Sequence, residues 1–534
     1  MTNERTLPQA RIDLDEGMAF VAHLPIANPM LAEQQITQFL DTLLANPPST
    51  EVFFRLLEQL RAPVAFVTEA SAKIYHGRPL PLNKVEDRAF AQVVEVWKKM
   101  AQAYALCASR EELTADNPQY RQLAATLYHR CIRYAGEIIL EHFHARRALP
   151  ANAWLDLHSY YASAEEWGLA SEPVSDTLDQ ANSVTHCMAS YVAVLLTDCA
   201  SPYSQSMRDL SLMRRWAVRW SALVMVQGMV EGENPPRFAV NFLKDRGLYP
   251  FDAKRSGLQT RCLETSRLEV QMKHTVEQLR LHVPPAQLGL GNETPGHVIK
   301  LLERLLRPWR MAEAARRFRR FAALGTVKLA AGFEKMYACI NELEFAQPDT
   351  GATYSRKSFD RVFTFRERVE PEAGLQVAKV TEVNAEDWSV VNHSANGFRL
   401  TSPGDGERLL HEQLIAIKPH DGDQYLLAIV TWLLQENASH VLEAGVMTLP
   451  GVPSWVGVRQ VLDGSNGGEQ FQPAFALPGL PAIKEEPSLV LPKGMYQASR
   501  SLEVVTADGK YWRARMLHVL DPGADFDRVS YQAV

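Results

Sequence analysis

The sequence predicts a multidomain chain: a mostly α N-terminal helical array, α-solenoid-like in its pairs of antiparallel helices, then a C-terminal all-β barrel and a short β tail. Three observations predict it. A chain of 534 residues exceeds what one hydrophobic core organises, so two to four domains are expected. From about residue 28 to residue 330 apolar positions recur with helical period. Beyond residue 325 short β-type segments alternate with turn-forming residues.

Residues 1–27 are expected as an N-terminal arm; "MTNERTLPQARIDLDEG" lacks the apolar core of a secretory signal. The helical domain is expected over 28–300. "MLAEQQITQFLDTLLAN" sets Leu31, Ile36, Phe39, Leu40 and Leu43 near one face, and the prolines after Asn46 stop it. "DRAFAQVVEVWKKMAQAYALCA" and "YRQLAATLYHRCIRYAGEIILEHFHARRALP" repeat the style. "ANAWLDLHSYYASAEEWGLAS" spaces Trp154, Leu157, Tyr161 and Ala164 along a helix that Gly168 ends. "SVTHCMASYVAVLLTDCASPYS" and "LSLMRRWAVRWSALVMVQGM" follow, with Trp216, Trp220 and Met225 expected in the core. The Trp–Leu–Tyr–Ala spacing is close to that of tetratricopeptide repeats, but no fixed period emerges.

An Arg-rich segment at 301–325 leads into a β-barrel expected over 326–461, with a polar insertion at about 340–375. Its strands are sought in "LQVAKVTEVN", "DWSVVNHS", "GFRLTS", "EQLIAIKP", "YLLAIVTWLLQ", "SHVLEAGVMTL" and "WVGVRQVL". Residues 462–494, rich in Gly and Pro, are expected as a linker, and 495–534 as a β tail with a hairpin at Asp508-Gly509.

A net charge of -6 gives no general affinity for nucleic acid or an anionic membrane, while still permitting a local basic patch. No apolar run approaches eighteen residues, which argues against a membrane span. Cys107, Cys131, Cys187, Cys199, Cys262 and Cys339 are scattered without a CxxC pair, which fits reduced thiols in a cytoplasm. A soluble cytoplasmic protein is expected.

Two features carry candidate chemistry. Arg304, Arg307, Arg310, Arg316, Arg317, Arg319 and Arg320 cluster before the first β segment, and Arg316 and Arg320 have R-x-x-x-R spacing. On a helix or tight turn that spacing aims two guanidinium forks at one point; guanidinium binds phosphate bidentately, pairs with the O6/N7 edge of guanine and stacks on bases. "NHSANGFRL" then gathers Asn392, His393, Ser394, Asn396 and Gly397. Asn meets a purine edge, Ser offers a hydroxyl, and Gly permits positive φ and close backbone approach. Taken singly, the arginines fit a solvated helix face interleaved with Glu303 and Glu313, and "NHSANG" fits a β-turn. Their conjunction, in this order around β-type sequence, favours a ligand.

R-x-x-x-R before a small barrel, followed by [D/N]-x-S-x-x-G at a strand turn, resembles the signature of the PilZ domain. "ANGFRL" and "EQLIAIKPHDGDQYLLAIVTWLL…HVLEAGVMTL" are similar to that family's later strands. The resemblance covers about residues 310–460. It implies a PilZ-like barrel that binds cyclic di-GMP, as a monomer or a stacked dimer, without catalysis, in bacterial second-messenger signalling. It implies further that Arg316 and Arg320, with neighbours Arg317 and Arg319, clasp the phosphates and bases, that Asn392 and Ser394 contact a guanine beside His393 and Asn396, and that Gly397 shapes the turn. Two departures stand out: about seventy residues separate Arg320 from Asn392, where the family's gap is shorter, and Thr431 precedes Trp432 where arginine is common.

The helical region is then expected to transmit ligand binding to an unidentified protein partner through residues 28–300. The alternative is an interaction scaffold with a degenerate domain that binds no nucleotide. Other candidates are weaker. Glu141, His142 and His144 of "EHFH" fall on different helix faces, as at a surface helix end, without a third metal ligand placed. "LGLGNETPG" (Gly289, Gly291, Gly296) lacks a P-loop lysine. Neighbours His393 and Ser394 on a strand point apart and make no nucleophile–base pair. No paired carboxylates suggest an acid–base site, so no enzyme and no metal are expected.

Overall fold

The computed structural model describes residues 11–110, 118–179, 184–228, 236–312, 320–322, 325–342, 345, 347, 385–404, 406–436, 440–461, 470–506 and 509–534. The chain divides into two compact units: Met1–Arg78 with Leu82–Arg316, and Pro79–Pro81 with Arg317–Val534. Arg316, Arg317 and Arg319, the segment "LQVAKVTEVN", most of the expected insertion and Asp508 lie outside the described residues.

The first unit is built on helices α1 (Leu14–Ala22), α2 (Pro29–Ala45), α3 (Thr50–Ala72), α4 (Lys84–Ala108), α5 (Pro118–Ala145) and α6 (Ala153–Glu166). A short ribbon, β1 (Val174–Ser175) with β2 (Val184–Thr185), leads to α7 (Cys187–Cys199) and α8 (Met207–Trp220). Strands β3 (Met225–Gly228), β4 (Phe238–Asn241), β5 (Tyr249–Pro250) and β6 (Thr260–Glu264) precede α9 (Ser266–Arg280) and α10 (Pro295–Trp309). Chain-adjacent helices pack from α2 to α8, and α5 also meets α7. Local chemistry sets the starts: Asn83 and Glu86 form a capping box at α4, and Ser206 accepts from the Asp209 backbone N–H at α8. Trp154, Leu157, Tyr161 and Ala164 are all buried, and Gly168 takes φ 65° just past α6.

Several expectations are corrected here. The supposed arm holds α1, capped by Asp13. The supposed all-helical stretch contains the sheet β3–β6–β4–β5, whose strands of two to five residues are too short to disturb a helical periodicity count. Met225 and Leu31 are exposed, while Trp216 and Trp220 are core as expected. The "EHFH" end of α5 is not at the surface: Glu141, His142 and His144 are buried. Its polar groups are satisfied internally, which is what admits them. The Tyr75 hydroxyl donates to Glu141 Oε1 at 2.6 Å, His76 Nε2 lies 2.7 Å from the same oxygen, and the His144 ring stacks on His76. Burial opposes ionisation of Glu141, but the hydrogen bond and charge of His76 hold its carboxyl down to about 2.

A buried ion cluster ties α3 and α5 to β1. Asp176, fully buried, receives Arg61 Nη2 at 2.5 Å, Arg133 Nη1 at 3.2 Å and Arg130 Nη1 at 3.3 Å. Arg130 also reaches Glu58 at 2.9 Å. Burial opposes the Asp176 charge, yet the facing guanidinium groups hold its carboxyl well below the usual range.

The second unit contains two rings of strands. β7 (Phe321–Ala322), β8 (Thr326–Ala331), β9 (Glu386–Ser394), β10 (Gly397–Thr401), β11 (Leu414–Pro419), β12 (Leu426–Gln435) and β13 (Leu442–Thr448) form the first. Antiparallel pairings run β8–β9–β10–β13–β12–β11 and return to β8, closing a ring of six on which β7 extends along β9. Strands β14 (Ser454–Gln460), β15 (Gln472–Leu477), β16 (Ser488–Pro492), β17 (Ser501–Thr506), β18 (Tyr511–Pro522) and β19 (Phe526–Ala533) close a second barrel. The expected linker therefore supplies β15 and β16, the expected tail supplies β17 to β19, and "WVGVRQVL" belongs to this second barrel. Among the described residues of this stretch, Pro478, Gly479, Pro481, Pro487 and Gly494 lie between strands and Pro492 ends β16.

Helix α11 (Phe333–Asn341) is the wedge between the two rings. Its Phe333 stacks on Phe475 at 5.7 Å and Tyr337 meets Trp455 at 5.1 Å. Ala330, Met336, Leu414, Ala416, Leu427, Phe475, Val490 and Phe526 form one cluster across them. Strand β11 is buried on both faces, so Ile415 and Ile417 turn to the side opposite Leu414 and Ala416.

Asp176→Ala leaves three guanidinium groups without their shared acceptor. Unfolding by denaturant is expected to show a loss of about 3–5 kcal/mol. Glu33 offers a pH test: burial pushes its carboxyl up to about 7, against a hydrogen bond from Ser71, and its Oε1 is buried without a partner among the described residues. A folded-state value above the unfolded one gives a contribution complete below the ordinary carboxyl value and lost as pH rises through about 7. Glu33→Gln is expected to leave the melting temperature nearly unchanged at about pH 5 and to raise it at about pH 8. A pH-independent difference would rule out titration of this group.

Candidate functional site

Strands β9 and β10 form a two-residue hairpin: Ser394 pairs with Gly397 across Ala395 and Asn396. The Ser394 hydroxyl lies 3.3 Å from Asn396 Oδ1 and 3.4 Å from the Gly397 carbonyl, so it braces the turn. Gly397 is not at positive φ. It is required by close approach instead, because a Cβ there would stand 2.4 Å from the Val446 carbonyl oxygen.

The register decides which side chains share a surface. Trp388 and Leu400 are fully buried inside the ring, and Leu400 pairs with Val390. Simple alternation from Trp388 and Val390 would turn Asn392 inward as well. One extra residue on β9 prevents this: the register shifts after Leu400–Val390, so that Arg399 faces Asn392. The bulge moves Asn392 and Ser394 to the outer face. A second shift, between Val430 and Trp432, sets Trp432 opposite Gly445, and the Thr431 hydroxyl donates to the Gly445 carbonyl at 2.9 Å. Thr431 thus serves the bulge.

These pairings line up one row across five strands: Ala322 with Asn392, Asn392 with Arg399, Arg399 with Gly445, Gly445 with Trp432. Cross-strand partners share a face with Cβ atoms about 5 Å apart. Glu443 is on the same face, alternating with buried Leu442 and Ala444. Arg399 Nη2 meets Glu443 Oε2 at 2.6 Å, and its guanidinium carbon stands 5.9 Å from the Trp432 ring centroid. A Cβ on Gly445 would lie 1.8 Å from Trp432 Nε1, so that glycine is what lets the indole lie against the sheet.

Of the predicted residues, Arg320 precedes Phe321, whose partner on β9 is His393. Two residues before Ala322, it extends β7 toward Ser394 on the Asn392 face. Arg320 is exposed. The β7–β9 register thus directs Arg320 toward Ser394, on the face that carries Asn392. His393 is not brought with them: it faces the other way, between Phe321 at 5.9 Å and Phe398 at 6.2 Å. Arg304 and Arg310 have partners of their own in the first unit. Arg304 bonds Gln205 and Asp209 at 2.7 Å, and Arg310 is 3.8 Å from Glu269. No local sequence signal marks Arg399, Glu443 and Trp432 as neighbours of Asn392, because only the two bulges show that they share its face. Among the described residues, no cluster of three His, Cys, Asp or Glu is placed to hold a metal ion, and no helix is long and apolar enough to cross a membrane.

Comparison with known families decides the lineage. Residues 16–232 match the family model described as "Cyclic-di-GMP receptor FimW, N-terminal domain", and residues 456–534 match "FimW C-terminal beta-barrel domain". The chain belongs to the FimW family. A curated relative, the cyclic-di-GMP receptor FimW of Pseudomonas aeruginosa strain PAO1, is 22% identical, over 91% of this chain and 85% of that protein. The second match spans nearly the whole β14–β19 barrel. The β7–β13 ring, which carries the candidate row, lies between the two matched stretches.

Gly445→Ala is expected to displace the Trp432 ring. The checks are a changed near-ultraviolet dichroism and a stability loss of about 1–3 kcal/mol.

Proposed function

We propose that this chain is a bacterial cytoplasmic receptor for cyclic di-GMP, non-catalytic, whose ring barrel takes the ligand on the Asn392 face. The observation that carries the reading is the β7–β9 register, which supports Arg320 standing next to Asn392 and Ser394. An exposed guanidinium and an open carboxamide are what a cyclic dinucleotide's phosphate and purine edge require. The family's named receptor points to the same ligand. Arg316, Arg317 and Arg319 complete the clasp in this proposal.

The output in this proposal passes to a protein partner through the helical unit. The division between the two compact units falls between residues 316 and 317, inside the arginine cluster. A ligand gripped by that segment has differential contacts with whichever arrangement of the units presents it best, and so shifts their equilibrium.

Isothermal titration of the full chain with cyclic di-GMP is expected to give a dissociation constant of roughly micromolar or tighter, with the stoichiometry telling a single molecule from a stacked pair. Arg320→Ala is expected to weaken it by about tenfold or more, the loss of one charge-assisted contact. Absence of binding by the wild-type chain would leave the scaffold alternative in its place.

A further inference from the structure

We propose that Arg399 and Glu443 together read the guanine edge: Arg399 donates to O6, and Glu443 accepts from N1–H and the 2-amino group. The assignment rests on the ligand being the guanine nucleotide proposed above.

Three features of the pair carry it. First, the two side chains present a donor beside an acceptor on a partly open surface, with 37% and 19% of their area exposed. Guanine's edge sets an acceptor, O6, beside a donor, N1–H, and is the complement of that array. Adenine's edge is the reverse, an amino donor beside the N1 acceptor, so it would meet donor with donor and acceptor with acceptor. Second, the pair has capacity left. Its contact runs through Nη2 and Oε2, so Arg399 Nη1 and Glu443 Oε1 take no part in it. Third, the pair is held in place: Arg399 stands directly across from Asn392 and from Gly445, and the indole packed on that glycine fixes the guanidinium from the side. A residue of the predicted site and the pair therefore look out over the same patch of sheet, within the width of one base.

The test compares cyclic di-GMP with cyclic di-IMP, whose base keeps O6 and N1–H but lacks the 2-amino group, and with cyclic di-AMP. Full-length protein is titrated with each. The wild type is expected to favour cyclic di-GMP over cyclic di-IMP by about tenfold, and over cyclic di-AMP by more. Glu443→Ala is expected to bring the guanine-to-inosine ratio close to one. Arg399→Met is expected to weaken both by a similar factor and to preserve their ratio. Circular dichroism checks that each variant folds, and the isosteric Glu443→Gln, with the same expected fall in ratio, stands in for Glu443→Ala should that variant not fold. Folded variants that keep the wild-type ratio would overturn the assignment while leaving the receptor reading intact. A wild type that binds none of the three nucleotides would remove both, and so separates the two failures.

Discussion

The candidate surface depends on one constraint: β9 must serve two neighbours at once. Its early residues pair with β8, its later ones with β10, and the ring closes only through both ladders. A strand inside a closed ring has no free edge along which to slide. Any insertion must therefore appear as a local bulge, and a bulge changes which way everything beyond it points. The extra residue before Asn392 does this on β9, and Thr431 does it on β12. Two irregularities on strands that do not touch thus bring Asn392, Arg399 and Trp432 into one row. The interior keeps Trp388, Leu400, Val430 and Leu433 without interruption.

A different balance holds the helical unit. Arg61, Arg130 and Asp176 are nearly or fully inaccessible, and each is tolerable only because the others are present. The cluster links α3, α5 and β1, elements separated in sequence by up to 115 residues at the Arg61–Asp176 contact. Such a link specifies which helices meet more than it adds net stability. The same logic admits Glu141 among Tyr75, His76 and His144.

Much of this architecture could be read from the sequence. The change from period 3.6 to period 2 near residue 325 located the passage from helices to strands, and the hairpin at Asn396 was visible in its turn residues. The second barrel was less legible, because its β15 and β16 sit in a stretch whose Gly and Pro content looks like a linker when pairing partners are unknown. Buried polar residues at the end of α5 misled for a related reason: hydrophobic pattern alone cannot show that a glutamate has a tyrosine and a histidine waiting for it. In the site, Asn392 and Ser394 carried a recognisable spacing. Arg399 and Glu443 carried none, since their meeting depends on a register that two bulges reset, and no local pattern encodes a partner 44 residues away.

The charge arrangement bears on how an acidic chain would offer the proposed anion site. With a net charge of -6, long-range attraction of a phosphate is weak or unfavourable, and affinity must come from short-range contacts. Many arginines are already committed: Arg214 to Glu137, Arg261 to Glu165, Arg459 to Glu503, Arg528 to Asp521 and Glu485. A committed guanidinium must surrender its carboxylate before it can take a phosphate, which cancels most of the gain. Arg320, exposed and uncommitted among the described residues, carries no such penalty. The Arg399–Glu443 pair is suited to the opposite task. Its net charge is zero, so it contributes little to attracting an anion, but its fixed donor and acceptor can tell one base edge from another. In the proposed reading, attraction and discrimination fall to different arginines on the same face of one barrel.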